Sequence, residues 1–157
     1  MRSISHVAIG VSDIDRSLPF YRDVLGLRVT LDAWEGADRD GSVEVGLTRG
    51  APRRRRAVYL RWDDGPQSTF IVLSSPSRDG DDLPLRLDQL GIHHCGFWVD
   101  DFEARVDRLR AAGVRFHFGP AETDSAGYGE AAGGRVRTCI FEDPDGILLQ
   151  LDERVDP

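Results

Sequence analysis

The segment SHVAIGVSDIDRSL near the start of the chain is matched by HHCGFWVDDFEARV, 88 residues later, and the match sets His94 on His6. The closing strands of the two halves match at an offset of 78 residues, which sets Gln150 on Val72. An internal repeat constrains a fold more than composition does. Each copy must form the same supersecondary unit, and neither copy can bury its apolar face without packing against something else.

Each half reads as strand, helix, strand, strand, strand. Residues 4–11 alternate, with Val7, Ile9 and Val11 on one face and His6, Ala8 and Gly10 on the other. Ser12 and Asp13 carry helix-start chemistry; Ile14, Leu18, Tyr21 and Leu25 follow at helical spacing, and Gly26 ends the run. Pro19 falls inside that helix and predicts a bend. Strands follow at LRVTLDAW, AVYLRW and STFIVLS, with a long loop and an optional short strand at SVEVGL between the first two. The second half repeats the plan. It has a strand over 92–99, a helix with Phe102, Val106 and Leu109 in one stripe, a strand VRFHF, and a Gly-rich loop over 119–134. The strands RVRTCIFE and ILLQLDE then flank the turn DPDG.

The expected architecture is a single α+β domain, 1–157, built of two pseudo-symmetric βαβββ modules, 1–75 and 92–157, with a linker over 76–91. The modules would form a curved mixed sheet around a central cavity, with the helices on the outside. The faces carrying His6 and His94 would then be left for that cavity. Ala8, Gly10 and Gly96 are small, which leaves room beside a histidine for a ligand. By alternation Phe70 and Val72 share that face in the first module, and Gln150 and Asp152 share it in the second. Two imidazoles converging with a third donor suit a divalent metal. Gln150 is one such donor, and Asp152 lies two residues on, about 6–7 Å along the strand. Trp98 lines the same face, and Trp34 and Tyr128 fall in loops able to close over it. His93 points to the helix side, His117 to the rim, and Cys95 and Cys139 read as small apolar fillers.

Composition removes other chemistries. All 20 basic residues among the 157 are arginine, so lysine Schiff bases, lysine general bases and a P-loop lysine are excluded. The net charge of −7 argues against nucleic acid. The one basic run, Arg53 to Arg56, reads as a solvated strand entry or a local anion patch. No G-x-S-x-G, CxxC or HExxH is present. Nothing reads as a signal peptide or a membrane span, and two cysteines make no disulfide framework; a cytoplasmic setting is the expectation.

The paired modules, the opening SHVAIGVSDIDRSLPFYRDVLGLRV, the second opening GIHHCGFWVDD and the ending FEDPDGILLQLDE resemble the vicinal oxygen chelate superfamily. That superfamily includes glyoxalase I, methylmalonyl-CoA epimerase, extradiol dioxygenases, and fosfomycin- and bleomycin-resistance proteins. In its metal-binding members four inward strand positions supply ligands. Here these positions hold His6, Val72, His94 and Gln150. Valine supplies no donor, and glutamine stands where glutamate is usual, so the metal would be held more weakly than by His-His-Glu. The resemblance implies a divalent metal (Fe, Mn, Co, Ni or Zn) on His6, His94 and Gln150. Phe70, Val72, Trp98, Tyr128 and Asp152 would form the substrate pocket. It also implies a metal-dependent enzyme of the glyoxalase, isomerase or dioxygenase class, acting on a small molecule with adjacent oxygens. The alternative is a metal-free, drug-binding protein of the bleomycin-resistance kind. A homodimer is the expected assembly.

Overall fold

A computed structural model of the chain describes residues 3–35, 55–75 and 83–155. Two compact units, Met1–Asp81 and Asp82–Pro157, divide the chain. SVEVGL, Arg53, Arg54 and residues 76–82 lie outside the described residues.

The first unit runs β1 (His6–Gly10), α1 (Ile14–Pro19), a widened turn (Phe20–Val24), β2 (Arg28–Glu35), β3 (Arg55–Arg61) and β4 (Phe70–Ser74). The sheet order is β1-β4-β3-β2, with β1 parallel to β4 and the other pairs antiparallel. Asp13 caps α1, its carboxylate accepting from the backbone N–H of Asp15 and Arg16. The bend expected at Pro19 is a widening: just after it, Leu25 N donates to Phe20 O, five residues back. Proline donates no hydrogen bond and crowds the carbonyl four residues earlier, so the regular ladder stops there. Ile9, Val11, Ile14, Tyr21, Ile71 and Leu73 are buried on the helix side of the sheet. Trp34, expected in a loop, lies in β2 opposite Arg56.

The second unit runs β5 (His94–Trp98), α2 (Phe102–Ala111), β6 (Phe116–Asp124), a 3-10 turn (Ser125–Tyr128), β7 (Arg135–Glu142) and β8 (Leu148–Arg154). Its sheet order, β5-β8-β7-β6, repeats that of the first, again with one parallel pair. Phe102, Val106 and Leu109 form the buried stripe of α2 and pack on the side of Cys139, Phe141, Leu149 and Leu151. Asp101 does not cap α2. Its carboxylate is taken by Arg105 and Arg108, and Glu153 on β8 accepts from Phe102 N instead. The fold is thus α+β, two four-stranded mixed sheets in two repeated βαβββ modules.

A second expectation is corrected. Residues 119–124 are strand, not loop: β6 continues through Gly119-Pro120 to Asp124. Two register shifts, between Phe116 and Phe118 and between Phe118 and Ala121, absorb the glycine and proline. β6 is the edge of its sheet, where a residue without an N–H removes no interior ladder bond. In the DPDG turn, Asp143 accepts from Asp145 N and Ile147 N, and Gly146 sits at φ +84°.

Candidate functional site

In the first unit the face of the sheet away from α1 carries His6, Ala8 and Gly10 on β1 opposite Phe70, Val72 and Ser74 on β4. His6 stacks on Phe70, with ring centroids 5.1 Å apart and planes 18° apart. Arg61, the β3 partner of Phe70, brings its guanidinium 4.3 Å from the centre of the same ring. Imidazole, phenyl and guanidinium therefore form one row across three strands. Ser5 Oγ lies 3.0 Å from His6 Nδ1, which leaves Nε2 as the imidazole nitrogen with no partner among the described residues. Val72 is buried and offers no donor.

The corresponding face of the second unit carries His94, Gly96 and Trp98 on β5 opposite Leu148, Gln150 and Asp152 on β8. His94 Nδ1 lies 3.3 Å from His93 Nδ1, and the two rings are stacked. His93 and His94 are consecutive, so this contact is local and again leaves Nε2 of His94 open. A polar cluster surrounds Gln150. Its Nε2 donates to Asp152 Oδ1 at 2.8 Å and Thr138 Oγ1 at 3.2 Å, and lies 3.4 Å from the hydroxyl of Tyr128. Tyr128 donates to Asp152 Oδ1 at 2.7 Å. Asp152 and Thr138 are buried. Burial, and next to it the acceptor Asp152, push the Tyr128 phenol above its ordinary pKa. Above this cluster Trp98 is 56% exposed, with Tyr128 at 5.6 Å ring to ring and the Arg154 guanidinium 4.7 Å from its ring centre. Arg154 is paired with Glu130.

Within its own unit, each sheet thus brings its expected residues together: His6, Phe70 and Val72 in the first; His94, Trp98, Tyr128, Gln150 and Asp152 in the second. Thr138, Arg154 and Arg61 are additions. Alternation along β8 already places Arg154 on the face of Gln150 and Asp152. Thr138 and Arg61 reach their partners only through strand register, which has no local signal.

The donor chemistry fits a divalent cation. Both histidines have Nδ1 engaged by a neighbour, in contacts that either tautomer can make, and Nε2 is the ring nitrogen with no partner among the described residues. The NH2 of Gln150 is turned to a carboxylate, so its Oε1 is the atom left to coordinate. Among the described residues no three His, Cys, Asp or Glu side chains form a metal-holding group. Among those residues, too, no helix is long and apolar enough to cross a membrane.

The chain is 28% identical over 153 residues to an ethylmalonyl-CoA/methylmalonyl-CoA epimerase of Cereibacter sphaeroides, covering 96% of each. It is 26% identical over 155 residues to a probable chloroplastic lactoylglutathione lyase of Arabidopsis thaliana. That match takes in 98% of this chain and spans only 36% of the plant protein. The crystal structure of a glyoxalase family protein from Bacillus cereus has the same fold, with a TM-score of 0.74 at 20% identity over 99% of this chain and 96% of that one. A family model matches residues 3–151, and with it the chain belongs to the Glyoxalase/Bleomycin resistance protein/Dioxygenase superfamily.

Proposed function

We propose that this chain is a metal-dependent enzyme of its superfamily, acting on a small molecule with two adjacent oxygens, and that His6, His94 and Gln150 hold the cation. The supporting observation is the shared preparation of the three donors: each has its other polar atom engaged, leaving His6 Nε2, His94 Nε2 and Gln150 Oε1. A bound divalent cation supplies Lewis acidity that polarises the substrate's oxygens. The protein residues hold and orient. Phe70 and Trp98 offer aromatic surface to the carbon skeleton. Arg61, fixed against Phe70, offers positive charge to an anionic group. With a neutral amide as third ligand, no ligand doubles as a carboxylate base. The nearest carboxylate, Asp152, already accepts two hydrogen bonds. An enzyme of this kind would be expected to work as a homodimer.

The test is metal analysis of protein purified without chelators, on wild type and on His6→Ala, His94→Ala and Gln150→Ala. Near-stoichiometric metal in the wild type and loss in each variant supports the proposal; equal and negligible metal in all four overturns it. The exposed indole of Trp98, backed by Tyr128 and Arg154, favours a second reading, a metal-free binder of planar or cationic small molecules. That reading requires ligand affinity that EDTA leaves unchanged.

A further inference from the structure

The Gln150 amide is a candidate ligand whose donor atom is exchanged for a non-ligating NH2 by a simple flip. Oε1 and Nε2 are nearly the same size, and only one of them can bind a cation. Something must select the orientation. Thr138 cannot do so, because a hydroxyl both donates and accepts and would serve either end of the amide. Tyr128 is likewise a hydroxyl, and its proton is already given to Asp152. Asp152 is different, since an ionised carboxylate only accepts. Oδ1 takes the Gln150 NH2 at 2.8 Å and the Tyr128 hydroxyl at 2.7 Å, at a buried position. Flipping the amide would set Oε1 against Oδ1, two acceptors within contact distance in a site of low dielectric.

We propose that Asp152 is the positioning residue for Gln150. It holds the amide NH2, directs Oε1 to the open face of the second sheet, and requires an amide, not a carboxylate, at position 150. Tyr128 anchors Asp152 by donating to the same oxygen. On the strand opposite, a Cβ at Gly96 would lie 3.4 Å from Asp152 Oδ2 and 3.8 Å from Gln150 Cβ, in ordinary van der Waals contact with the pair. The metal half of this inference rests on Gln150 being a ligand; the hydrogen-bond half does not.

The experiment has two readouts on the full chain. The first is NMR of the side-chain amide of Gln150 in protein stripped of metal, assigned by its loss in Gln150→Ala. A hydrogen-bonded NH2 in the wild type that becomes averaged and solvent-exchanging in Asp152→Ala is the expected result. An unchanged signal in that variant overturns the proposal. The second is calorimetric titration with Co2+. Loss of an outer partner of a ligand typically weakens a metal site 10–100-fold, and Asp152→Ala is expected in that range. Asp152→Asn keeps one acceptor while removing the charge, folds with little change of shape, and is expected between wild type and alanine. If asparagine and alanine weaken Co2+ equally, Asp152 acts by charge alone and positioning is overturned. If Gln150→Ala leaves Co2+ affinity unchanged while the NMR result holds, it is the ligand role of Gln150 that fails and the hydrogen-bond inference stands.

Discussion

Tyr128 donates its phenolic hydrogen to Asp152 across 2.7 Å and so ties the end of the 3-10 turn to the last strand. Asp152 is buried, and this bond is one of two it accepts from side chains. Removing the hydroxyl in Tyr128→Phe leaves a buried carboxylate with a single side-chain donor. Hydrogen bonds to charged groups contribute about 1.5–3 kcal/mol. Urea unfolding of the variant is expected to show a loss of that order at unchanged m-value. A loss below about 0.5 kcal/mol would mean that water replaces the phenol without penalty.

Arg56 donates to both oxygens of Asp32, at 2.8 and 2.7 Å, and to Asp15 at 2.7 Å, joining β3 to β2 and to the first turn of α1. Its place at the end of the basic run thus has a structural use. The hydrogen bond from Arg56 holds the Asp32 carboxyl below the usual carboxylate range. A lowered folded pKa adds stability that is complete above the unfolded value, about 3.9, and is lost as pH falls through the folded value. The groups are partly exposed, so Arg56→Ala is expected to lose only about 1 kcal/mol at pH 7. The gap between variant and wild type should narrow as pH falls below the unfolded value, about 3.9. A gap that stays constant down to full protonation of the carboxylates would assign the effect to lost packing by the arginine stem.

Much of this was legible from the residues in order, and the rest was not, for a physical reason. The repeat, most of the strands, the buried stripe of α2 and the start of α1 follow from periods of 2 and 3.6 and from Asp13, all local signals. Gly119 and Pro120 read locally as a loop, but the bulged edge strand accommodates them. Gln150 and Asp152 stand two residues apart on β8, yet their side chains lean together until Nε2 meets Oδ1. Thr138 beside Gln150 and Arg61 over Phe70 depend on which residue faces which across strands. Register is set by the whole sheet and is not written in any short stretch.

Cys139 is fully buried, and burial pushes its thiol up to about 11; burial raises Cys95 as well. A thiol raised in the folded state stays protonated there while the unfolded chain ionises from about pH 9. Its contribution is therefore present below that pH and is lost as pH rises from about 9 to 11. Two pKa units limit the loss to about 3 kcal/mol. Cys139→Ala should flatten the alkaline limb of the stability curve. At pH 7.5 iodoacetamide should label Cys95 before Cys139, and labelling of both at the rate of free cysteine would contradict the burial.

Gly119 sits at φ +70°, and a Cβ there would meet Thr138 O at 2.5 Å. Left-handed backbone alone disfavours alanine by about 1–2 kcal/mol, and the close backbone oxygen cannot move without disturbing β7. Gly119→Ala is expected to destabilise the chain by at least about 2 kcal/mol in urea unfolding. Gly127→Ala, where a Cβ meets nothing within 4 Å, serves as the control and should fall within about 1 kcal/mol of wild type.

Gln150→Glu tests why an amide stands on the last strand. The new carboxylate would replace a donor with an acceptor 2.8 Å from Asp152 Oδ1, leaving two like charges in contact beside a buried position. In protein stripped of metal, the variant is expected to be less stable by about 1–3 kcal/mol, the range for an unpaired buried polar group. Asp152→Asn in the same chain converts the contact back to donor and acceptor, with the amide now on residue 152. The double variant should then recover most of the loss. A double-mutant cycle should give a coupling of about 1–3 kcal/mol between positions 150 and 152, as neighbours sharing one hydrogen bond do. Additive effects, with coupling under about 0.5 kcal/mol, would mean that the two side chains do not select each other, and that the amide at 150 answers to something other than Asp152.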